Sequence, residues 1–319
     1  MKVILESDHP SYQVYYGMLH YHLGWVDSGL GSESGKAGKR IRPLICLLVC
    51  DAAGGNWEQA VPAAAAIELL HNFSLIHDDI EDGSRTRRGR KTVWELWGVP
   101  QAINAGDSMF SSAYAALARL ADRGVAAETT VDSLRIFARA CVQLTKGQHL
   151  DMRYETQASV DVEQYKQMIA GKTAALLSAT SEIGAIIAGA EPEKRHDFAE
   201  FGRNVGLAFQ AHDDVLGIWG NETTVGKSTV SDILTRKKTM PVVYGLARSS
   251  ALRDLYACPQ LDVQQAVDLL EAAGARDYAV AAVDRYSEAA MAHLEKADPA
   301  GPAGDALRKL TTRLVKRQN

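Results

Sequence analysis

The chain is short of the features that mark several large protein classes. Only four of its 319 residues are cysteine: Cys46, Cys50, Cys141 and Cys258. Cys46 and Cys50 lie in an apolar run, residues 45–50, and no second Cys or His pair at zinc spacing accompanies them. They read as small buried hydrophobes rather than metal ligands, and the pattern suits a reducing compartment. Neither sign of charge predominates, with 35 basic against 39 acidic residues and a net charge of -4, so nothing suggests general affinity for nucleic acid or anionic membrane. No apolar run is long enough to span a bilayer; residues 183–190 fall well short. The opening Met1-Lys2-Val3-Ile4-Leu5 is soon broken by Glu6 and Asp8, unlike a signal peptide. The expectation is a soluble, cytoplasmic protein. Alternating Val/Ile/Thr runs of strand type are few, and there is no repeat period or low-complexity segment.

What is present reads as helix. At 46% hydrophobic residues the chain can bury a large core. Pro62 opens an Ala-rich stretch running to residue 80, with proline at a favourable early helical position. Leu69, Leu70, Phe73, Leu75 and Ile76 supply apolar faces at helical spacing. Residues 102–120, 130–150, 162–187 and 198–218 read similarly, and 263–273 and 279–294 as further amphipathic helices. Loops are expected at 28–38, 54–56, 83–91, 188–193, 220–231 and 298–304, where Gly, Pro and small polar residues gather.

Two Asp-rich segments stand far apart, each beside basic residues. The first is Asp78-Asp79-Ile80-Glu81-Asp82, followed by Arg85, Arg87, Arg88, Arg90 and Lys91. The second is Gln210-Ala211-His212-Asp213-Asp214, followed by Lys227, Arg236, Lys237 and Lys238. Carboxylates at helical spacing hold hard cations such as magnesium, and Arg and Lys bind phosphate oxygens. Together they describe a diphosphate clamped through metal. In a helix Asp78 and Asp82 are i and i+4 on one face, where their like charges repel unless a cation intervenes. Asp79 points about 100° away and is the weaker ligand candidate. His71 lies two turns before Asp78 on the same face; on its own it reads first as a core histidine bonded to a backbone carbonyl. The acidic segments sit at helix ends on either side of the chain's middle and must meet to make one site. The expectation is therefore a single all-α domain over residues 1–319.

These residues resemble the trans-isoprenyl diphosphate synthases, the polyprenyl synthetase family, from about residue 38 to residue 241. Gly38-Lys39-Arg40-Ile41-Arg42-Pro43 is similar to the family's first basic motif. Ser74-Leu75-Ile76-His77-Asp78-Asp79 resembles the helix leading into the first Asp-rich motif, with Arg87-Arg88-Gly89 at the family's spacing after it. Gly147-Gln148 with Asp151, Gly171-Lys172-Thr173, Phe209-Gln210 before Asp213-Asp214, then Lys227, Asp232 and Lys237-Lys238-Thr239-Met240-Pro241 follow in the family's order.

The resemblance implies an isoprenoid synthase-type bundle of helices around a central active-site cavity, commonly a homodimer. It implies an allylic diphosphate held by a trinuclear Mg2+ cluster, with Asp78, Asp82 and Asp213 as ligands. Arg87, Lys172, Lys227 and Lys237 would hold the allylic diphosphate, and Lys39, Arg42, His71 and Arg88 would hold isopentenyl diphosphate. Lys172, Thr173 and Gln210 would serve catalysis, the last two near the developing carbocation. The activity implied is chain elongation by prenyl transfer.

Tail length should be set along the same helix. Phe73 lies five residues before Asp78, about 7.5 Å along the axis, with Ser74 beside it. In the family a bulky residue at either position floors the tail cavity; bulky Phe73 beside small Ser74 resembles the geranylgeranyl-forming type, with farnesyl diphosphate as the alternative product. The other reading of Phe73 is ordinary core. The sequence also departs from the family pattern: Gly217 replaces the last Asp of the second motif, Asn221 stands where an acidic residue is common, and Val230 where Gly is. Gly217 alone favours a non-catalytic, regulatory subunit of the same fold, which the retained basic and acidic residues disfavour. A terpene cyclase needs one diphosphate site, and the set Lys39, Arg42, His71 and Arg88 supplies a second.

Overall fold

The computed structural model describes residues 1–6, 9–32, 38–220 and 231–315. Among them the fold is helical apart from a two-residue-per-strand hairpin and one isolated bridge between Val26 and Ser32. None of their helices is long and apolar enough to cross a membrane. The chain divides into two compact units: residues 1–136 with 183–189, and residues 137–182 with 190–319.

In the first unit, helices α1 (Gln13–His22), α2 (Ile41–Ala52), α3 (Val61–Glu81), α4 (Val93–Trp97) and α5 (Val99–Ala118) follow one another. Pro62 occupies the first turn of α3, where its missing N–H costs nothing. Ala63 to Ala66, Ile67, Leu69, Leu70 and Ile76 are buried; each large aliphatic side chain contributes roughly 1.5–3 kcal/mol by leaving water. α3 packs against α2 and α5, and the small residues Ala102, Ala105, Gly106 and Ala113 on the buried face of α5 leave room for it. Cys46 and Cys50 are fully buried and unpaired in α2, as apolar filling.

The end of α3 positions the first acidic segment. Asp82 caps the helix, its N–H bonded to the Asp78 carbonyl at 2.9 Å. Gly83 turns left-handed at φ +61; its N–H bonds the Ile80 carbonyl, and that of Ser84 bonds Asp79. This is a Schellman stop, which glycine makes without strain. It leaves Asp78, Asp79 and Asp82 in the last turn, which carries no basic residue. There the helix dipole opposes negative charge, so those carboxylates need cations from elsewhere.

The expected loop at 83–91 contains a hairpin, Thr86–Arg87 with Arg90–Lys91. Its two-residue turn is Arg88-Gly89, both left-handed at φ +54 and +78, the requirement of a type I′ connection. Arginine in that conformation costs about 1–2 kcal/mol.

In the second unit, helix α6 (Ala127–Thr156) contributes its residues from 137 onward, followed by α7 (Val162–Ile169), α8 (Ala175–Ile187, as far as residue 182) and α9 (Pro192–Trp219). A capping box of Asp161 and Gln164 starts α7, satisfying two backbone donors that would otherwise lack partners. The single helix expected over residues 162–187 is interrupted by a π turn, Ala170–Ala174. Two glycines make room around it: a Cβ at Gly147 of α6 would collide with the Lys172 backbone, and one at Gly206 of α9 would lie 2.7 Å from Ala174 Cα. Among the described residues of this unit, apolar clusters form the core. One gathers Tyr165, Met168, Ile169, Leu207 and Val283, another Ile218, Val242, Leu252 and Leu270.

The predicted helices are present with shifted ends. The sequence reading does not find α1, α2, α4, Met240–Arg248, Ser250–Ala257 or Gly301–Val315. Gly301 begins a helix, so the loop expected at 298–304 is shorter. Most of the loop expected at 220–231 lies outside the described residues.

Candidate active site

The three aspartates at the end of α3 divide by environment. Asp78 is half-buried and Asp82 exposed, one helical turn apart. Asp79 is only 2% exposed and accepts from Arg87 Nε at 2.8 and 3.0 Å. That carboxylate is committed to an arginine. Burial raises its pKa to about 6, against the opposing pull of the Arg87 charge.

The hairpin arginines have different surroundings. Arg87 is held through Nε by Asp79. Arg90 stacks on the Tyr21 ring, 4.0 Å from its centroid, and donates to the carbonyls of Tyr21 and Val26, which makes it a structural anchor. Arg88 lies over Gly38, where a Cβ would stand 2.7 Å from its Nη2; any larger residue in the first basic motif at that point would displace it. Lys39 is exposed just before α2.

Arg42 Nη1 lies 3.2 Å from His71 Nε2. An arginine is always the donor, so His71 accepts through Nε2 and carries its proton on Nδ1. Burial, then the charges of Arg42, Arg88 and Arg87, hold the His71 pKa well below the usual value. His71 is thus neither the carbonyl-bonded core histidine considered above nor a cation; it braces Arg42. Tyr21 and His22 join Arg87 and Arg88 in lining one small pocket. The sequence reading missed both, because α1 carries no motif that ties it to a site more than 60 residues later.

Phe73 is half-buried. Its ring meets those of His77 at 4.8 Å and Phe110 at 5.0 Å, and Phe110 meets Tyr114 at 5.3 Å. This aromatic ladder runs along α3 and α5. Ser74 is turned onto its own helix, donating to the His71 carbonyl at 2.8 Å.

In the second unit, α9 carries Gln210, Asp213 and Asp214. Asp213 is half-buried, whereas Asp214 is 4% exposed. Asp214 accepts from Gln210 Nε2 at 3.0 Å, from the Met240 N–H at 2.8 Å, and from the Tyr165 hydroxyl. Burial raises its pKa to about 6, and these three donors pull the other way. Burial and the Asp214 charge push the Tyr165 phenol well above its ordinary value, so it stays a donor. Gln210 Oε1 accepts from Thr173 Oγ1 at 2.8 Å, which brings two of the predicted catalytic residues together. The third, Lys172, forms an ion pair with Asp151. Lys237 is half-buried, its N–H bonded to the Asp232 carbonyl.

Gly217 has a structural consequence of its own. A Cβ there would collide with Asp232 Oδ2, so the Asp232 carboxylate occupies the space that a side chain at 217 would take. Lys227, Asn221 and Val230 lie outside the described residues.

Magnesium prefers oxygen ligands and keeps several waters. Asp79 and Asp214 are committed to protein donors. Among the described residues no three His, Cys, Asp or Glu side chains converge as a ready-made metal cage.

The family model for polyprenyl synthetase matches residues 29–272. The chain is 40% identical over 288 residues to a geranylgeranyl diphosphate synthase of Mycobacterium tuberculosis, covering 88% of this chain and 81% of that protein. It is 39% identical over 280 residues to a (2E,6E)-farnesyl diphosphate synthase of Mycobacterium bovis, covering 84% and 77%. The crystal structure of a polyprenyl synthetase from Streptomyces coelicolor superposes with a TM-score of 0.90 at 33% identity, over 98% of this chain and 95% of that one. The chain belongs to the polyprenyl synthetase family.

Proposed function

We propose that this protein is a chain-elongating prenyltransferase that joins isopentenyl diphosphate to an allylic diphosphate, with geranylgeranyl diphosphate as its product. The observation that carries this reading is the acidic end of α3: Asp78 and Asp82 stand against the helix dipole, next to a hairpin that carries Arg87 on its first strand and Arg88 in its turn. Such an arrangement suits a cation and a polyanion. The reading treats residues 1–319 as one catalytic domain in a cytoplasmic homodimer.

In this reading Asp78, Asp82 and Asp213 would hold Mg2+, which when bound would neutralise charge on the departing diphosphate. Arg87, Lys172, Lys227 and Lys237 bind the allylic diphosphate. Lys39, Arg42 and Arg88 bind the isopentenyl diphosphate, and His71 orients Arg42 for it. Thr173 and Gln210 offer neutral oxygens to the allylic carbon as positive charge develops there. Neutral dipoles stabilise that charge, whereas a carboxylate would capture it as an ester. The C–O bond of the allylic substrate breaks, the double bond of isopentenyl diphosphate attacks its C1, and a proton leaves to the released diphosphate.

Product length follows from the aromatic ladder. Phe73, supported by Phe110, closes the path along α3 and α5, and the small Ser74 leaves space beside it. Mixing the protein with both substrates and Mg2+ should release one diphosphate per isopentenyl unit consumed, and excess chelator should stop it. Diphosphate release that is independent of isopentenyl diphosphate would point to a cyclase or hydrolase instead.

A further inference from the structure

Asp214 belongs to the second acidic segment by sequence, but its surroundings assign it another task. Both of its oxygens are occupied: Oδ1 by Gln210 Nε2, Oδ2 by the Met240 N–H and the Tyr165 hydroxyl. An ionised carboxylate only accepts hydrogen bonds, so the edge of the Gln210 amide facing it must be the NH2. The opposite edge is then Oε1, and Thr173 must donate to it. The chain of bonds therefore fixes the direction of two dipoles. We propose that Asp214 is a positioning residue that locks the Gln210 amide, so that Gln210 Oε1 and the Thr173 hydroxyl oxygen direct lone pairs to the allylic carbon. This inference rests on the prenyl transfer proposed above.

The lock matters because the two ends of a primary amide have nearly the same shape, and only hydrogen bonding distinguishes them. In Asp214→Asn, the oxygen of the introduced amide can still accept from Tyr165 and Met240, which turns its NH2 towards residue 210. Gln210 must then rotate to present its own oxygen to that NH2. The Gln210 NH2 now faces Thr173, whose hydroxyl becomes the acceptor and turns its proton outward. The positive ends of two dipoles then face a carbon that is gaining positive charge. Aimed dipoles of this kind act in the transition state, so the loss falls on kcat.

The test uses Asp214→Asn, Gln210→Met and the double variant in the full-length protein, with steady-state kinetics on both diphosphates. Asp214→Asn should lower kcat by about 10- to 100-fold, with both KM values within about twofold of wild type. Gln210→Met removes the amide and should also lose kcat. Because Asp214 acts through residue 210, adding Asp214→Asn to Gln210→Met should change kcat by no more than about twofold. A merely structural role would make the two losses multiply. Wild-type kcat in Asp214→Asn, or losses that multiply in the double variant, overturns the proposal. A raised requirement for Mg2+ in Asp214→Asn overturns it too, by making Asp214 a metal ligand. If Asp214→Asn fails to fold, Asp214→Ala is measured alone and with Gln210→Met, and multiplying losses refute. An inactive wild-type protein would refute the prenyltransferase reading itself, a separate outcome.

Discussion

Replacing Arg87 with methionine should destabilise the protein in a way that depends on pH. The Asp79 carboxylate is 2% exposed and takes both of its bonds from Arg87 Nε, at 2.8 and 3.0 Å. Methionine keeps the apolar stem and removes the charge. Stranding one member of a buried pair costs about 3–5 kcal/mol, and Asp79 can reduce this by taking up a proton. In the wild type its pKa is already raised to about 6 by burial. Loss of Arg87 moves it further up, so between pH 6 and 8 the folded variant binds a proton that the unfolded chain does not. Stability then falls as pH rises, by up to about 1.4 kcal/mol per pH unit, relative to a wild type in which Asp79 is half-ionised at pH 6 and ionised by pH 8. The expected loss is about 3 kcal/mol at pH 8 and nearer 1 kcal/mol at pH 6. Urea unfolding followed by circular dichroism at both pH values measures it. Adding Asp79→Asn should restore most of the stability at pH 8 and remove the pH slope. A loss that is the same at both pH values, or a double variant no more stable than Arg87→Met, would refute the reasoning.

Other outcomes follow from the same geometry. Asp78→Ala should nearly abolish turnover, because losing a ligand to a charge-neutralising metal costs several kcal/mol in the transition state, whereas Asp79→Asn should leave the Mg2+ requirement unchanged; titrating activity with Mg2+ separates the two. Phe73→Ala should lengthen the product and Ser74→Phe shorten it, and an unchanged product distribution in both, by mass spectrometry, would move the floor to Phe110 or Tyr114. Lys39→Ala and Arg88→Ala should chiefly raise KM for isopentenyl diphosphate, while Arg87→Ala and Lys227→Ala act on the allylic substrate; equal effects on both substrates would collapse the two-site assignment.

The long helices are legible in the sequence because burial repeats every three to four residues along them and Pro62 and Gly83 mark the ends of α3. Gly301–Val315 is hidden because Pro and Gly at a helix start look like a loop when read without the turn that follows. The π turn at Ala170–Ala174 is also hidden, since an extra residue in one turn barely disturbs the apolar period. In the candidate site, residue types and order are legible but partners are not. Sequence spacing places Asp78 and Asp82 on one face because both belong to one helix end. It cannot pair Arg42 with His71, 29 positions away, or set the Asp232 carboxylate beside Gly217. Nor can it tell Asp213 from Asp214: adjacent residues on α9 point to different sides, and only tertiary packing decides that the second meets Tyr165 and Met240.

The most direct test of the account is product analysis. Purified protein would be incubated with Mg2+, isopentenyl diphosphate and allylic primers of five, ten and fifteen carbons, and the dephosphorylated products identified by mass spectrometry. The account predicts that primers are extended in five-carbon steps and that the twenty-carbon geranylgeranyl alcohol accumulates from each. Recovery of all three primers without extension, with isopentenyl diphosphate unconsumed, would contradict it.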